Sequence, residues 1–134
     1  MQKEIIISGF GGQGVLMMGY SFAQAAMFEG FHVTYLPSYG VEVRGGTANC
    51  TVVISDEEIG SPVVGRPASL VIMNGPSLEK FLPFLAVGGD LIINSSLVDG
   101  RQVDRTDVRL LAIPADDIAR TKIGSRQMAS MIAL

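Results

Sequence analysis

The chain has 134 residues, 48% of them hydrophobic and 17% charged, with a net charge of −3 and a pI of about 5.0. That length suits one domain with one core. The acidic balance and scattered Lys and Arg argue against a general nucleic-acid binder, and no apolar run reaches the roughly 18 uninterrupted residues of a membrane span.

Taken in order, Met1-Gln2-Lys3-Glu4 lacks the basic-then-apolar order of a signal peptide, so a cytoplasmic compartment is expected. Lys3-Glu4-Ile5-Ile6-Ile7-Ser8 is β-branched at its centre and reads as a buried strand. The glycine turn Gly9-Phe10-Gly11-Gly12-Gln13-Gly14 follows, and then a helix over Val15 to Glu29. Strand, glycine turn and helix make the first half of a nucleotide-binding βαβ unit, in which the helix N-terminus offers unpaired N–H groups to an anion. Glycines at 9, 11 and 14 satisfy G-x-G-x-x-G, a weak signal by itself. A dinucleotide site also needs an acidic residue ending the second strand. Here His32-Val33-Thr34-Tyr35-Leu36 runs into Pro37-Ser38-Tyr39-Gly40 with no carboxylate, which argues against NAD. Close packing of helix on sheet is the plainer use of the glycines.

The helix is apolar around most of its circumference. Val15, Leu16, Gly19, Phe22, Ala23 and Ala26 form the arc that covers a sheet; the other arc mixes Met17 and Phe28 with Tyr20, Ser21 and Gln24. That mixed arc, poor in charge, reads as a contact surface. The mean hydropathy of +0.38 likewise suggests surface buried against other chains. Glu29-Gly30 stops the helix. Pro37 to Gly46 reads as a loop at the carboxyl edge of the sheet, facing the glycine turn across one crevice. Arg44 is its only cation, suited to a phosphate or carboxylate, or equally to an ion pair with Glu42 or a partner chain.

Thr47 to Ser55 is a strand, antiparallel or on a second sheet edge because no crossover helix precedes it. Cys50 within it reads as a core residue. Cys50 and His32 are the only residues of their kinds, so a self-contained iron–sulfur, structural zinc or disulfide site is excluded. Asp56 to Pro62 forms an acidic turn, and Ile59 to Val64 a further short strand. Strands over Ser69 to Asn74, Gly88 to Ser95 and Val108 to Pro114 complete the pattern, with a helix over Leu78 to Leu85 despite Pro83. Asn74 and Asn94 close two strands, placed to donate to a ligand or, as the favoured reading, to cap the next turn. Gln127 to Leu134 is an apolar helical pattern with no stop signal, so a longer natural chain is expected. Together these elements predict one α/β domain over 1–134, a three-layer Rossmann-like arrangement with a mixed, mostly parallel sheet and one antiparallel strand segment.

The residues supply no catalytic set, no metal-ligand cluster and no G-x-x-x-x-G-K-[ST] loop. They point to a ligand-binding subunit of a larger assembly. Read together, Gly9-Phe10-Gly11-Gly12-Gln13-Gly14-Val15 and Pro37-Ser38-Tyr39-Gly40-Val41-Glu42-Val43-Arg44-Gly45-Gly46-Thr47-Ala48-Asn49-Cys50 resemble the gamma subunit of 2-oxoacid:acceptor (ferredoxin) oxidoreductases. The likeness continues through Val53-Ile54-Ser55-Asp56 and Ile59-Gly60-Ser61-Pro62 to Met128-Ala129-Ser130-Met131.

The resemblance implies coenzyme A-dependent oxidative decarboxylation of a 2-oxoacid to an acyl-CoA, with reduction of ferredoxin or a similar acceptor. It implies thiamine diphosphate and iron–sulfur clusters on other subunits. The implied partners are alpha and beta subunits, with a delta subunit as a further candidate. Coenzyme A is then the ligand expected at the crevice, with Gly11, Gly12, Gln13 and Gly14 on one side. Ser38, Tyr39, Arg44, Gly45 and Gly46 form the facing wall. No catalytic and no metal-ligating residue is assigned to this chain. The alternatives are a stand-alone nucleotide-binding module and a purely structural assembly subunit. Pyruvate, branched-chain 2-oxoacids and 2-oxoglutarate remain equally open as substrates.

Overall fold

A computed structural model describes residues 2–10, 14–39, 47–62, 64–119 and 121. Six strands form one sheet: β1 (Gln2–Phe10), β2 (His32–Tyr39), β3 (Thr47–Ser55), β4 (Ser69–Ile72), β5 (Asp90–Asn94) and β6 (Arg109–Ile113). Helices α1 (Val15–Phe28), α2 (Gly75–Phe81) and the short α3 (Ala115–Ile118) pack on it, and 3-10 turns occupy Leu82–Phe84 and Gly100–Gln102. Among the described residues no helix is long and apolar enough to cross a membrane.

The strand order is β2-β3-β1-β4-β5-β6. β1, β4, β5 and β6 run parallel, whereas β3 is antiparallel to both β1 and β2. The expected mixed sheet with one antiparallel strand is therefore present. β3 is internal rather than on an edge: it lies between the two strands that a βαβ unit would join directly. Seven residues, 40–46, separate β2 from β3, enough for a reversal and too few for a crossover. Because β3 turns back between them, β2 still points the same way as β1. Strand β3 is buried on both faces, with Val52 and Val53 each 0% exposed.

Three local expectations are corrected. β2 continues through Pro37 to Tyr39 instead of ending at Leu36. It is an edge strand, and an edge tolerates the missing N–H of proline. Residues 59–62 and 64 form no strand, since Gly60-Ser61-Pro62 turns the chain. The helix expected over Leu78 to Leu85 starts earlier, at Gly75, and ends at Phe81. Pro83 cannot donate to the carbonyl four residues back, so the chain tightens into a 3-10 turn.

Alternation along β1 divides the core. Ile7 faces α1 with Val15, Met18 and Cys50, and further along the same helix Ala23 and Ala26 meet Val52 and Ile54. Ile6 faces the opposite side with Leu70, Ile72, Leu78, Leu85 and Leu91 beneath α2. The three layers expected from the sequence follow from that period of two.

Candidate functional site at the carboxyl edge

The carboxyl ends of β1, β2 and β4 and the start of β3 share one edge of the sheet. Register sets Phe10 opposite Thr47 and Tyr39 opposite Ala48. The chain therefore leaves β1 for α1, and leaves β2 for β3, from neighbouring points. Gly14 ends the first of these turns with φ 77° and ψ 20°, a left-handed conformation that glycine adopts without a Cβ penalty. Its carbonyl accepts from Met18 N at 2.9 Å and so starts α1. The helix has no side-chain cap and no acidic residue in its first turn, which suits the approach of an anion to its positive end.

Of the binding residues expected from the sequence, Gly14, Ser38 and Tyr39 are described. Gly11, Gly12, Gln13, Arg44, Gly45 and Gly46 lie outside the described residues. Ser38 is exposed on β2. It pairs with Asn49, which pairs with Ser8, and this row lies on the α2 side of the sheet. The strand ends carrying the two expected walls are thus adjacent, but Ser38 and the start of α1 are on opposite faces.

Sequence reading passes over Ser8, Asn49 and Ser77. Ser8 is 0% exposed, and its hydroxyl donates to Ser77 Oγ at 2.7 Å. Asn49 is half-buried beside it. Strand pairing sets Ser8 beside Asn49 and the packing of α2 brings Ser77 to Ser8, so nothing in the linear spacing marks them. A serine near the end of a β-branched run is the one available hint.

Asn74 and Asn94 both cap, as favoured. Asn74 Oδ1 accepts from Ser77 N at 3.0 Å at the start of α2. Asn94 Oδ1 accepts from Ser96 N and Ala115 N, while its Nδ2 donates to Asp116 Oδ1 at 2.9 Å. Cys50 is a core residue, 0% exposed, its thiol donating to Val15 O at 3.6 Å. Burial pushes that thiol up to about 11, only partly offset by a backbone hydrogen bond at Gly19, so it is no nucleophile near neutrality.

An open groove of about 680 Å³ runs between α2 and residues 102–105, lined by Leu78, Glu79, Leu82, Pro83 and Arg105 among others. It shares no residue with the carboxyl-edge row. The guanidinium of Arg105 is engaged there, donating to Leu82 O at 3.0 Å and Leu85 O at 2.6 Å and pairing with Asp107. That arrangement clamps the end of the 3-10 turn and leaves the carboxyl edge as the better candidate site.

Comparison with known proteins gives a consistent result. The profile of the pyruvate ferredoxin/flavodoxin oxidoreductase family matches residues 4–134. A ketoisovalerate oxidoreductase subunit, VorA, of Methanothermobacter thermautotrophicus is 46% identical over 133 residues, covering 99% of this chain and 27% of its own. The chain thus spans about a quarter of that relative. The gamma subunit of a keto/oxoacid ferredoxin oxidoreductase from Geobacter sulfurreducens superposes with a TM-score of 0.82 at 30% identity, over 98% of this chain and 72% of that one. A 2-oxoglutarate:ferredoxin oxidoreductase from Magnetococcus marinus, with 2-oxoglutarate, coenzyme A and succinyl-CoA bound, shares the fold. Its TM-score is 0.89 at 22% identity, covering 99% of this chain and 23% of that one.

Proposed function

Because the chain belongs to the pyruvate ferredoxin/flavodoxin oxidoreductase family, we propose that it serves as the gamma-type part of a 2-oxoacid:ferredoxin oxidoreductase. The proposed reaction is coenzyme A-dependent oxidative decarboxylation of a 2-oxoacid to an acyl-CoA, with electrons passing to ferredoxin or a similar acceptor. The family match over residues 4–134 carries this reading. The similar proteins are named for ketoisovalerate, keto/oxoacid and 2-oxoglutarate, so the substrate proposed is the 2-oxoacid class.

In the complete enzyme, thiamine diphosphate supplies carbanion stabilisation and iron–sulfur clusters accept the electrons. A cluster does not fit the described residues of this chain. Its one cysteine is enclosed beneath α1, and among the described residues no group of three His, Cys, Asp or Glu could hold a metal. Alpha, beta and delta-type subunits are proposed to hold both groups.

The part assigned to this chain is to help bind coenzyme A and close the active site. Gly11, Gly12, Gln13 and Gly14 present backbone N–H groups to an anionic portion of the coenzyme. Ser38, reaching the edge from the α2 side, contributes with Tyr39, Arg44, Gly45 and Gly46 from the end of β2, with Arg44 supplying positive charge. Support comes from the adjacency of the two strand ends at the carboxyl edge, where open α/β sheets bind ligands, and from coenzyme A in the Magnetococcus enzyme of the same fold.

Arg44→Ala in the assembled complex tests this. The expected result is an apparent KM for coenzyme A raised about tenfold, as for loss of one charge-assisted hydrogen bond, with the KM for the 2-oxoacid unchanged. An unchanged coenzyme A value in an intact complex would leave this loop a role in assembly alone.

A further inference from the structure

Helix α1 carries no charged residue from Val15 to Phe28, although only one of its faces lies on the sheet. Val15, Met18, Gly19, Ala23 and Ala26 are buried and form that face. On the opposite side stand Met17, Tyr20, Met27 and Phe28, which are 62%, 53%, 62% and 87% exposed. The solvated face of a surface helix ordinarily carries charge; this one carries two thioethers and two aromatic rings.

The spacing indicates what fits. Positions 17, 20, 24, 27 and 28 fall within an arc of about 100° at the helical period. Steps of three, four and three residues set Met17, Tyr20, Gln24 and Met27 along the narrow a/d seam of helix-on-helix packing, about 15 Å long. Phe28 widens the seam at its end. Its polar groups answer one another: Gln24 Nε2 donates to the Tyr20 hydroxyl at 2.6 Å, which lowers the cost of covering both with apolar surface. The four exposed side chains present about 500 Å², near the upper end of the patch a monomer leaves bare and over half of what one partner gives to a standard interface.

The occupant follows from two observations. A similar domain makes up most of the Geobacter gamma subunit and about a quarter of VorA. A domain found both detached and joined to a longer chain meets the rest of its enzyme across a surface of its own, and the uncharged α1 seam is such a surface. A second copy of α1 fits less well. Antiparallel self-pairing centred on the seam would set the Tyr20–Gln24 pair of each copy against the other. That arrangement buries two polar pairs at the centre, where an apolar helix buries only one.

We propose that the outer face of α1 docks a helix of another subunit of the oxidoreductase, one with aliphatic residues at its own a and d positions and no charge among them. The assignment rests on the gamma-type role proposed above and gives that role its contact surface.

Peroxide footprinting of the intact complex, purified through this chain, tests the docking, because peroxide converts an accessible thioether to the sulfoxide. Met17 and Met27 are expected to oxidise as slowly as Met18 and Met73, which the fold itself encloses. Rapid oxidation of Met17 and Met27 in the intact complex would overturn the docking. Benzoylphenylalanine in place of Phe28 then identifies the neighbour. Photolysis of the complex is expected to join this chain to a thiamine- or cluster-binding subunit; a cross-link between two copies of this chain would overturn the choice of occupant. Both results leave the gamma-type role in place. Isolation of the chain with no thiamine- or cluster-binding subunit would overturn that role, and the docking with it.

Discussion

Gly19 shows how one residue fixes the spacing of the layers. A Cβ at this position would collide with Cys50 Sγ and stand 3.2 Å from the ring of Tyr35. The Tyr35 hydroxyl is itself held by Leu16 O at 3.0 Å, and its ring meets Tyr20 edge-on, so it has little freedom to retreat. Gly19→Ala is expected to destabilise the fold by about 1–3 kcal/mol through overpacking, and Cys50→Ala in the same chain to restore part of the loss, both read from thermal unfolding. Cys50 also carries a pH signature. Its thiol rises from 9.0 to about 11 on burial, so between those values the unfolded chain releases a proton that the folded chain keeps. This contribution to stability is fully present below pH 9 and is lost as pH rises toward 11. Alkylation at pH 8 should spare the folded protein and label it once unfolded; rapid labelling of the folded protein would contradict the burial. The core role of Cys50 is legible from its place in a β-branched strand. Its contact with Gly19 is not, because the two are brought together only by the crossing of α1 over β3.

At the scale of elements, strands and helices are legible wherever a run of Ile, Val and Leu is bounded by Gly, Pro or Asn, as in Ser69 to Asn74. Sheet order is not. Nothing in the period of Thr47 to Ser55 distinguishes an edge from an interior position; the antiparallel pairing of β3 with both β1 and β2 decides it. Pro37 misleads for a related reason, since a proline ends an interior strand but is accepted at an edge. The connection from β5 to α3 depends on Asn94, whose side chain bonds to both backbone donors and to Asp116. Asn94→Ala should lower stability by about 1–3 kcal/mol by leaving buried donors unsatisfied, seen as a reduced denaturant midpoint. A change within about 0.5 kcal/mol, as for an ordinary surface substitution, would show that the junction does not depend on it.

For the whole molecule, the carboxyl edge is the region that the linear sequence marks most plainly. The segment from Pro37 to Cys50 is long and unusual and carries the family resemblance far more specifically than the glycine turn. The polar row of Ser8, Asn49 and Ser38 is hidden from the linear sequence, since that row arises from strand pairing. The central claim is that this domain works within a 2-oxoacid oxidoreductase. Its most direct test is purification of the native assembly through this chain, with partners identified by mass and coenzyme A-dependent dye reduction assayed across several 2-oxoacids. The predicted result is co-purification of thiamine- and cluster-binding subunits with turnover of one 2-oxoacid class that stops when coenzyme A is omitted. Recovery of the chain alone, or with unrelated partners and no such activity, would contradict it.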